Sequence, residues 1–510
     1  MQALRRSPRV QAAGHAARPG AARPLHRPPD AGVDERLERL LFVTSEMSDF
    51  VKAGGLGEVS AALPRALRQA HDIRVLIPGY PRVVEGRQVS TVARLPGAFG
   101  LPACELGRID MPDGLIIYVL LCPDLYDRDG SPYGDGAGLD WGDNDVRFAR
   151  LALAAADLAC GLDDLGWQPD LVHVNDWPSA LTPAYLAWRE RSVPTILTIH
   201  NLAYQGLFDS ERLPALGIPE DAFQIDGVEF YGKLSFLKAG IFYASHITTV
   251  SSTYAEEITT PEFGCGLDGL LRTRAAEGRL TGILNGIDDS WDPTSDPHLA
   301  GHFEASDLKG KRINTGEVRA TFGLGVSRGP LFAIVSRLVH QKGIDLAIEA
   351  AEAIVSQGGQ IAVTGQGEGQ FETALEDLAA RHPGNVGVRI GFDETEARRM
   401  YAGSDFLLMP SRFEPCGLSQ MYAQRFGSLP IAHKTGGLAD TIEDGVTGFL
   451  FSEPSLSGLI DGVSRAFASF GSKSRLAAMR RAAMSRSFGW QHSARRYGNV
   501  YSRMIAGASR

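Results

Sequence analysis

The chain has 510 residues, 44% of them apolar and 22% charged, with a formal net charge of −9. That length exceeds one hydrophobic core and implies roughly two to four domains of ordinary globular composition; the acidic balance argues against a general nucleic-acid binder and leaves any anionic substrate to a few local cations. No apolar run approaches the ~20 residues that cross a bilayer, and five widely spaced cysteines without CxxC or zinc spacing point to reduced thiols in a cytoplasmic setting.

Residues 1–29 carry Arg5, Arg6, Arg9, Arg18, Arg23 and Arg27, no acid, and many Ala and Pro. Such a stretch buries too little apolar area to order itself, so 1–38 are expected to form a disordered extension. An Arg-rich, acid-poor plastid transit peptide is the alternative. Its single serine, Ser7, is few for such a peptide.

The first strand is expected at 40–44, a short apolar run. The loop Lys52-Ala53-Gly54-Gly55-Leu56 follows, then helical spacing over 58–67 despite Pro64. Further strands are expected at 73–78, 115–121, 171–174, 195–199 and 247–250, with helical stretches between most of them. Strands alternating with helices imply βαβ units and a parallel sheet. The pattern loosens over the Asp/Pro-rich stretch 288–302 and then restarts. Strands are expected at 331–335, 360–364, 386–390, 406–409 and 430–432, with Ile344, Ile348, Ala351 and Val355 on one helix face. The boundary between the halves is set near residue 287. A last helix spans about 490–505, with Tyr497, Val500 and Tyr501 on its apolar side.

Gly365-Gln366-Gly367-Glu368-Gly369 follows a strand, but its spacing is G-x-G-x-G and no acid stands at the dinucleotide distance, so it reads as a structural turn. The pentapeptide Lys-x-Gly-Gly-Leu occurs twice, at 52–56 and 434–438. Adjacent glycines let backbone N–H groups approach a ligand. A helix start behind them offers free donors, the usual makings of a phosphate site.

Ser336-Arg337-Leu338-Val339-His340-Gln341-Lys342-Gly343 leaves a strand and enters a helix. A guanidinium, an ammonium and helix-start N–H groups can together hold a diphosphate. Glu414, in Ser411-Arg412-Phe413-Glu414-Pro415-Cys416-Gly417-Leu418, lies at the carboxyl end of a strand, where open α/β sheets bind ligands. A carboxylate there can accept from sugar hydroxyls, and Cys416 and Gly417 are expected to start the next helix. Asn175-Asp176-Trp177 and His200-Asn201 stand at the ends of two first-half strands and suggest one side of a pocket.

These motifs, with Ser131-Pro132-Tyr133, the stretches 200–206 and 236–240, and Leu284-Asn285-Gly286-Ile287-Asp288, resemble bacterial and plastid glycogen and starch synthases. The resemblance covers about 40–501, and the motifs agree in order and spacing. It implies a GT-B fold, with two Rossmann-like lobes, an interlobe cleft and a C-terminal helix crossing back. The implied domains are 39–287, 288–487 and a crossover helix at 488–510. It further implies transfer of α-glucosyl from ADP-glucose to the non-reducing end of an α-1,4-glucan, such as glycogen, with retention. No cofactor, metal, nucleic acid or membrane is implied.

By position, the resemblance puts Lys52, Gly54 and Gly55 at the donor phosphates, and Arg337 and Lys342 on the diphosphate. Glu414 and the N–H groups of Cys416, Gly417 and Leu418 would hold the glucose hydroxyls. His200 and Asn201 would meet the glucose from the first lobe, with Asn285 nearby. Tyr133 and Asp176 fall on the glucose or acceptor side, and Phe392 where an aromatic stacks on adenine. The catalytic set is thus Glu414, Arg337, Lys342, His200 and Asp176. Three departures stand out: Glu58 where Asp is usual, Phe392 where Tyr is common, and Tyr422 where broader relatives carry a second glutamate. A pyridoxal-dependent phosphorylase of related fold and a non-catalytic glucan-binding protein are the rival readings. The first would show a Schiff-base absorbance; the second would be expected to lack Lys52, Arg337, Lys342 or Glu414, and all four are present.

Overall fold

The computed structural model describes residues 36–508, apart from 137, 163 and 164. The extension expected over 1–38 lies, as far as residue 35, outside the described residues. From Glu38 the chain packs as one unit.

Strand β1 (Arg39–Val43) opens the first sheet and β2 (Asp72–Pro78) follows it. Next come β3 (Ser90–Leu95), β4 (Cys104–Asp110), β5 (Ile116–Leu121), β6 (Leu171–Asn175) and β7 (Thr195–Ile199). A small separate sheet holds β8 (Leu207–Asp209), β9 (Glu229–Phe230) and β10 (Lys233–Ser235). β11 (His246–Thr249) and β12 (Leu280–Gly282) complete the large sheet, in the order β12-β11-β7-β6-β1-β2-β5-β4-β3. Leu40, Leu41, Phe42 and Val43 of the central β1 are all fully buried. A parallel strand covered on both faces reads as a continuous apolar run, which is why it was legible.

The expectation of a parallel sheet holds from β12 to β5 and fails beyond. β4 runs antiparallel to β5 and β3 antiparallel to β4. The cause is a tight turn at 111–115, where the Gly114 N–H bonds Met111 O and Gly114 takes φ +83°. So short a connection can join only antiparallel neighbours. β3 is a largely exposed edge, so its side chains leave no apolar signature.

The second sheet contains β13 (Leu331–Val335), β14 (Gln360–Gly365), β15 (Val386–Ile390), β16 (Phe406–Met409), β17 (Leu429–His433) and β18 (Phe449–Phe451). All are parallel, in the order β15-β14-β13-β16-β17-β18. Counted within this sheet, that is the doubly wound 3-2-1-4-5-6 arrangement.

The helix Trp490–Ala508 returns to the first sheet. Tyr497 and Tyr501 are fully buried there, and the Tyr501 hydroxyl lies 2.8 Å from His173 Nδ1 on β6. Ser493 Oγ donates to Leu284 O at 2.5 Å, and Ile287 pairs with Gly489 where the chain passes between the sheets. The lobes also touch through the helices Ser252–Glu257 and Gly436–Thr441.

Candidate active site

In a doubly wound sheet the ligand crevice lies beyond the carboxyl ends of the two strands where the winding reverses. In the second sheet these are β13 and β16, and they lead into Ser336-Arg337 and Pro410–Glu414 respectively. In the first sheet they are β1 and β6, leading into Thr44-Ser45-Glu46 and Asp176. Strand order alone thus gathers most of the expected residues at two facing switch points.

The second-lobe half is built on one close approach. The 3₁₀ turn His340–Lys342 ends at Gly343, which has φ +67°. A Cβ on Gly343 would stand 2.1 Å from Pro410 O, so only glycine lets the two loops meet. Lys342 is thereby delivered to Glu414, with Nζ 2.6 Å from Oε2. Ser411 Oγ donates to the same oxygen at 3.0 Å, and Glu414 is buried. Arg337 is exposed, and its guanidinium has no hydrogen bond or ion pair among the described residues. The loop around it leaves a free guanidinium at the mouth of the crevice.

The helix after this loop begins at Ser419, not at Cys416 or Gly417 as expected. Gly417 takes φ +68°, a left-handed turn that a helix cannot continue through, and Leu418 becomes the residue before the first turn. Cys416 is buried, and burial pushes its thiol up to about 12, so it packs as a neutral side chain. Asn285, from the segment between the sheets, lies against that thiol, and its Oδ1 is buried with no partner among the described residues.

The second Lys-x-Gly-Gly-Leu loop is not an open anion cradle. A Cβ on Gly436 would be 2.0 Å from Glu414 O, and one on Gly437 1.9 Å from Cys416 O. The Gly437 N–H donates to Glu414 O at 3.0 Å. The two glycines therefore buttress the Glu414 loop by close packing. The Gly436 N–H is taken by Glu257 of the first lobe.

The first loop is corrected in the same sense. The N–H groups of Ala53 and Gly54 both donate to Glu46 Oε2, at 2.6 and 2.9 Å. Gly54 thus has no free N–H for a phosphate; Gly55, where the helix Gly55–Leu67 begins, faces open space. The Lys52 ammonium pairs with Glu58 at 2.5 Å, so glutamate at this position reaches back to its own loop. Lys52 also stands 5.7 Å from the centre of the Phe392 ring, which is 58% exposed just past β15. That contact joins one lobe to the other.

Asp176 takes φ +51°, rare for a residue with a side chain. Its Oδ1 accepts the His200 N–H at 2.7 Å and the Asn201 N–H at 3.5 Å. Burial pushes its carboxyl up to about 7. His200 Nε2 lies 2.9 Å from Asn175 Oδ1, and burial lowers this imidazole to about 3. It is neutral near pH 7. An amide oxygen only accepts, so Nε2 carries the hydrogen and Nδ1 keeps a lone pair. Asn201 Oδ1 accepts from the Ala203 N–H at 3.1 Å. The Tyr133 hydroxyl lies 2.6 Å from Glu46 Oε1 and 2.9 Å from Ser45 Oγ.

The structure thus brings together Tyr133, Asp176, His200 and Asn201 on the first lobe, and Arg337, Lys342, Glu414 and the 416–418 turn on the second. Lys52 with Phe392, and Asn285 with Cys416, link the two groups. Sequence reasoning missed Glu46 and Glu257. A lone glutamate after a strand carries little signal; the strand order that puts Glu46 at a switch point would have marked it. Tyr422 stacks on Trp291 with ring centres 3.7 Å apart, so the position that holds glutamate in broader relatives is here part of the packed interior.

Comparison with known proteins gives the family. Residues 39–273 match the starch synthase catalytic domain, and residues 324–483 match glycosyl transferases group 1. The chain is 60% identical over 468 residues to a glycogen synthase of Pseudomonas putida, covering 92% of this chain and 90% of that protein. It is 61% identical over 461 residues to glycogen synthase 1 of Bradyrhizobium diazoefficiens, covering 90% of this chain and all of that one. Among solved structures, the catalytic domain of starch synthase IV from Arabidopsis thaliana, bound to ADP and acarbose, superposes with a TM-score of 0.81 at 30% identity over 92% of this chain and 100% of that one. The chain belongs to the glycogen and starch synthase family of GT-B glycosyltransferases, enzymes that move a sugar from a nucleotide-sugar donor to a glucan acceptor.

Proposed function

We propose that the protein transfers an α-glucosyl group from ADP-glucose to the non-reducing end of an α-1,4-glucan, with retention, releasing ADP. The observation that carries this reading is the meeting of Lys52 and Phe392 across the cleft, taken with the Lys342–Glu414 pair of the second lobe. An aromatic face and ammonium groups are what a base and its diphosphate need. The ADP-bound structure of the plant relative is the reason for choosing adenine.

In this reading Arg337 and Lys342 hold the diphosphate. Their charge is worth most when the leaving group gains its own in the transition state. Lys342 then exchanges Glu414 for phosphate oxygens, and Glu414 turns to the glucose hydroxyls. Neutral His200 accepts from a glucose hydroxyl through Nδ1, while Asp176 holds the His200 and Asn201 backbone in place. The anomeric C1–O bond to the diphosphate breaks and a C1–O bond to the acceptor 4-hydroxyl forms on the same face. The acceptor proton passes to a departing phosphate oxygen. We take the lobes as 39–287 and 288–487 with the crossover helix at 488–510. A cytoplasmic location fits the five free thiols.

The test is direct. Purified protein with glycogen should release ADP from ADP-glucose and much less UDP from UDP-glucose, and the new linkage should be α-1,4. Equal use of both donors, or no transfer from either, would overturn the donor assignment.

A further inference from the structure

We propose that Glu46 is a positioning residue of the transfer site: one buried carboxylate that fixes the Lys52 loop and Tyr133 relative to each other. The proposal rests on the reading above, in which Lys52 and Tyr133 line the site. Glu46 follows β1 at the switch point of the first sheet and is 3% exposed. A carboxylate is costly to bury unless donors surround it. Here three do, and they come from two separate parts of the chain. Oε2 accepts from the N–H groups of Ala53 and Gly54, and Oε1 accepts from the Tyr133 hydroxyl.

Two consequences follow from the chemistry of these groups. Consecutive N–H groups beside glycine form a concave anion site. Glu46 fills it from within the chain, so this part of the loop is ordered before any donor arrives, and Lys52 projects from a fixed base. An ionised carboxylate can only accept. The Tyr133 proton is therefore committed to Glu46, and Ser45 Oγ, 2.9 Å away, donates to the same hydroxyl. With its hydroxyl occupied on both sides, Tyr133 meets substrate with its ring, which packs beside Trp177 and Phe148 with centres 6.2 and 6.0 Å away. Glu46 sets the height and tilt of that ring without touching substrate itself.

Glu46→Gln separates the two arms. A glutamine oxygen can still accept from Ala53 and Gly54, but its amide group cannot accept the Tyr133 proton. The expected result is an unchanged KM for ADP-glucose, a modestly lowered melting temperature, and a kcat lower by about ten- to a hundredfold, the usual scale for losing a hydrogen bond to a charged group. Tyr133→Phe should lower kcat similarly, and the double variant should be no worse than either single one, because both break one link. Should Glu46→Gln not fold, Glu46→Asp serves in its place: its carboxylate, one methylene shorter, cannot reach Tyr133 and the Lys52 loop together, so kcat should again fall, with no further loss on adding Tyr133→Phe. Fully additive losses, or wild-type kcat in the Glu46 variant beside an impaired Tyr133→Phe, overturn the proposal. Wild-type kinetics in both Lys52→Ala and Tyr133→Phe would instead overturn the site reading on which it stands.

Discussion

Glu257 and Asp440 cap each other's helices across the lobe boundary. Asp440 Oδ2 accepts from the N–H groups of Ser252 and Thr253, at 2.6 and 3.2 Å, where the helix Ser252–Glu257 begins. Glu257, the last residue of that helix, accepts through Oε1 from the Gly436 N–H at 3.0 Å and the Thr435 hydroxyl at 2.9 Å, where the helix Gly436–Thr441 begins. Between them Ser251 Oγ donates to Pro415 O at 2.6 Å. A carboxylate at a helix start satisfies orphan N–H groups and meets the positive end of the dipole. Each lobe therefore supplies the other's missing acceptor, beside the loop that carries Glu414.

Removal of either cap should lower stability and loosen the lobes together. Glu257→Ala and Asp440→Ala should each cost about 1–2 kcal/mol of unfolding free energy. The double variant should cost less than the sum, since both act at one boundary. Thermal unfolding gives the energies. Small-angle scattering should show a wider spread of lobe separations in the variants than in the wild type, narrowed again by ADP-glucose. Unaltered scattering in the double variant would show that the caps do not hold the lobes.

Arg337 and Lys342 should differ in one respect and agree in another. Replacing either with Ala should lower kcat by two to three orders of magnitude, roughly 3–4 kcal/mol of transition-state stabilisation. The Arg337 side chain has no partner among the described residues, so Arg337→Ala should leave the melting temperature unchanged. Lys342→Ala leaves the buried Glu414 carboxylate without its cation and should cost about 1–3 kcal/mol of stability as well. Near-normal kcat in both variants would remove the diphosphate assignment.

Asp176 gives a pH dependence of definite sign. Burial holds its carboxyl up at about 7, above an ordinary aspartate near ~4. Between about pH 4 and pH 7 the unfolded chain has released this proton while the folded chain keeps it, so stability falls as pH rises through that window. Asp176→Asn keeps an acceptor for the His200 N–H and removes the titration. It should therefore be more stable than wild type at pH 8, on the order of 2 kcal/mol given the part-exposed side chain, and nearly equal at pH 4. The same difference in melting temperature at both values would show that Asp176 does not titrate there.

Activity should survive chelation. The expected clamp on the diphosphate is made of Arg337, Lys342 and Lys52, with no Asp-x-Asp motif at a strand end. Transfer from ADP-glucose should be the same with and without EDTA. A rate abolished by EDTA and restored by Mg²⁺ or Mn²⁺ would replace this clamp with a metal.

By itself the sequence determined the elements whose cause is local. The central strands were legible because a strand buried on both faces must be apolar throughout. Gly343 was legible as the entry to a helix, whereas Gly417, expected to start one, makes a left-handed turn before it; the resemblance placed Lys342, Glu414, Asp176 and His200 near one ligand. Tertiary structure decided what those local devices do. Both Lys-x-Gly-Gly-Leu loops read alike as phosphate cradles, yet Glu46 fills the first and Glu257 of the other lobe reaches into the second. Periodicity carries no record of which distant carboxylate satisfies a given N–H. The antiparallel pair β3–β4 escaped for the opposite reason: its edge position leaves so few side chains buried that no pattern is required of them. Local sequence sets backbone shape wherever burial is uniform or glycine is compulsory; the partner of each polar group is chosen only when the two sheets and their loops come together.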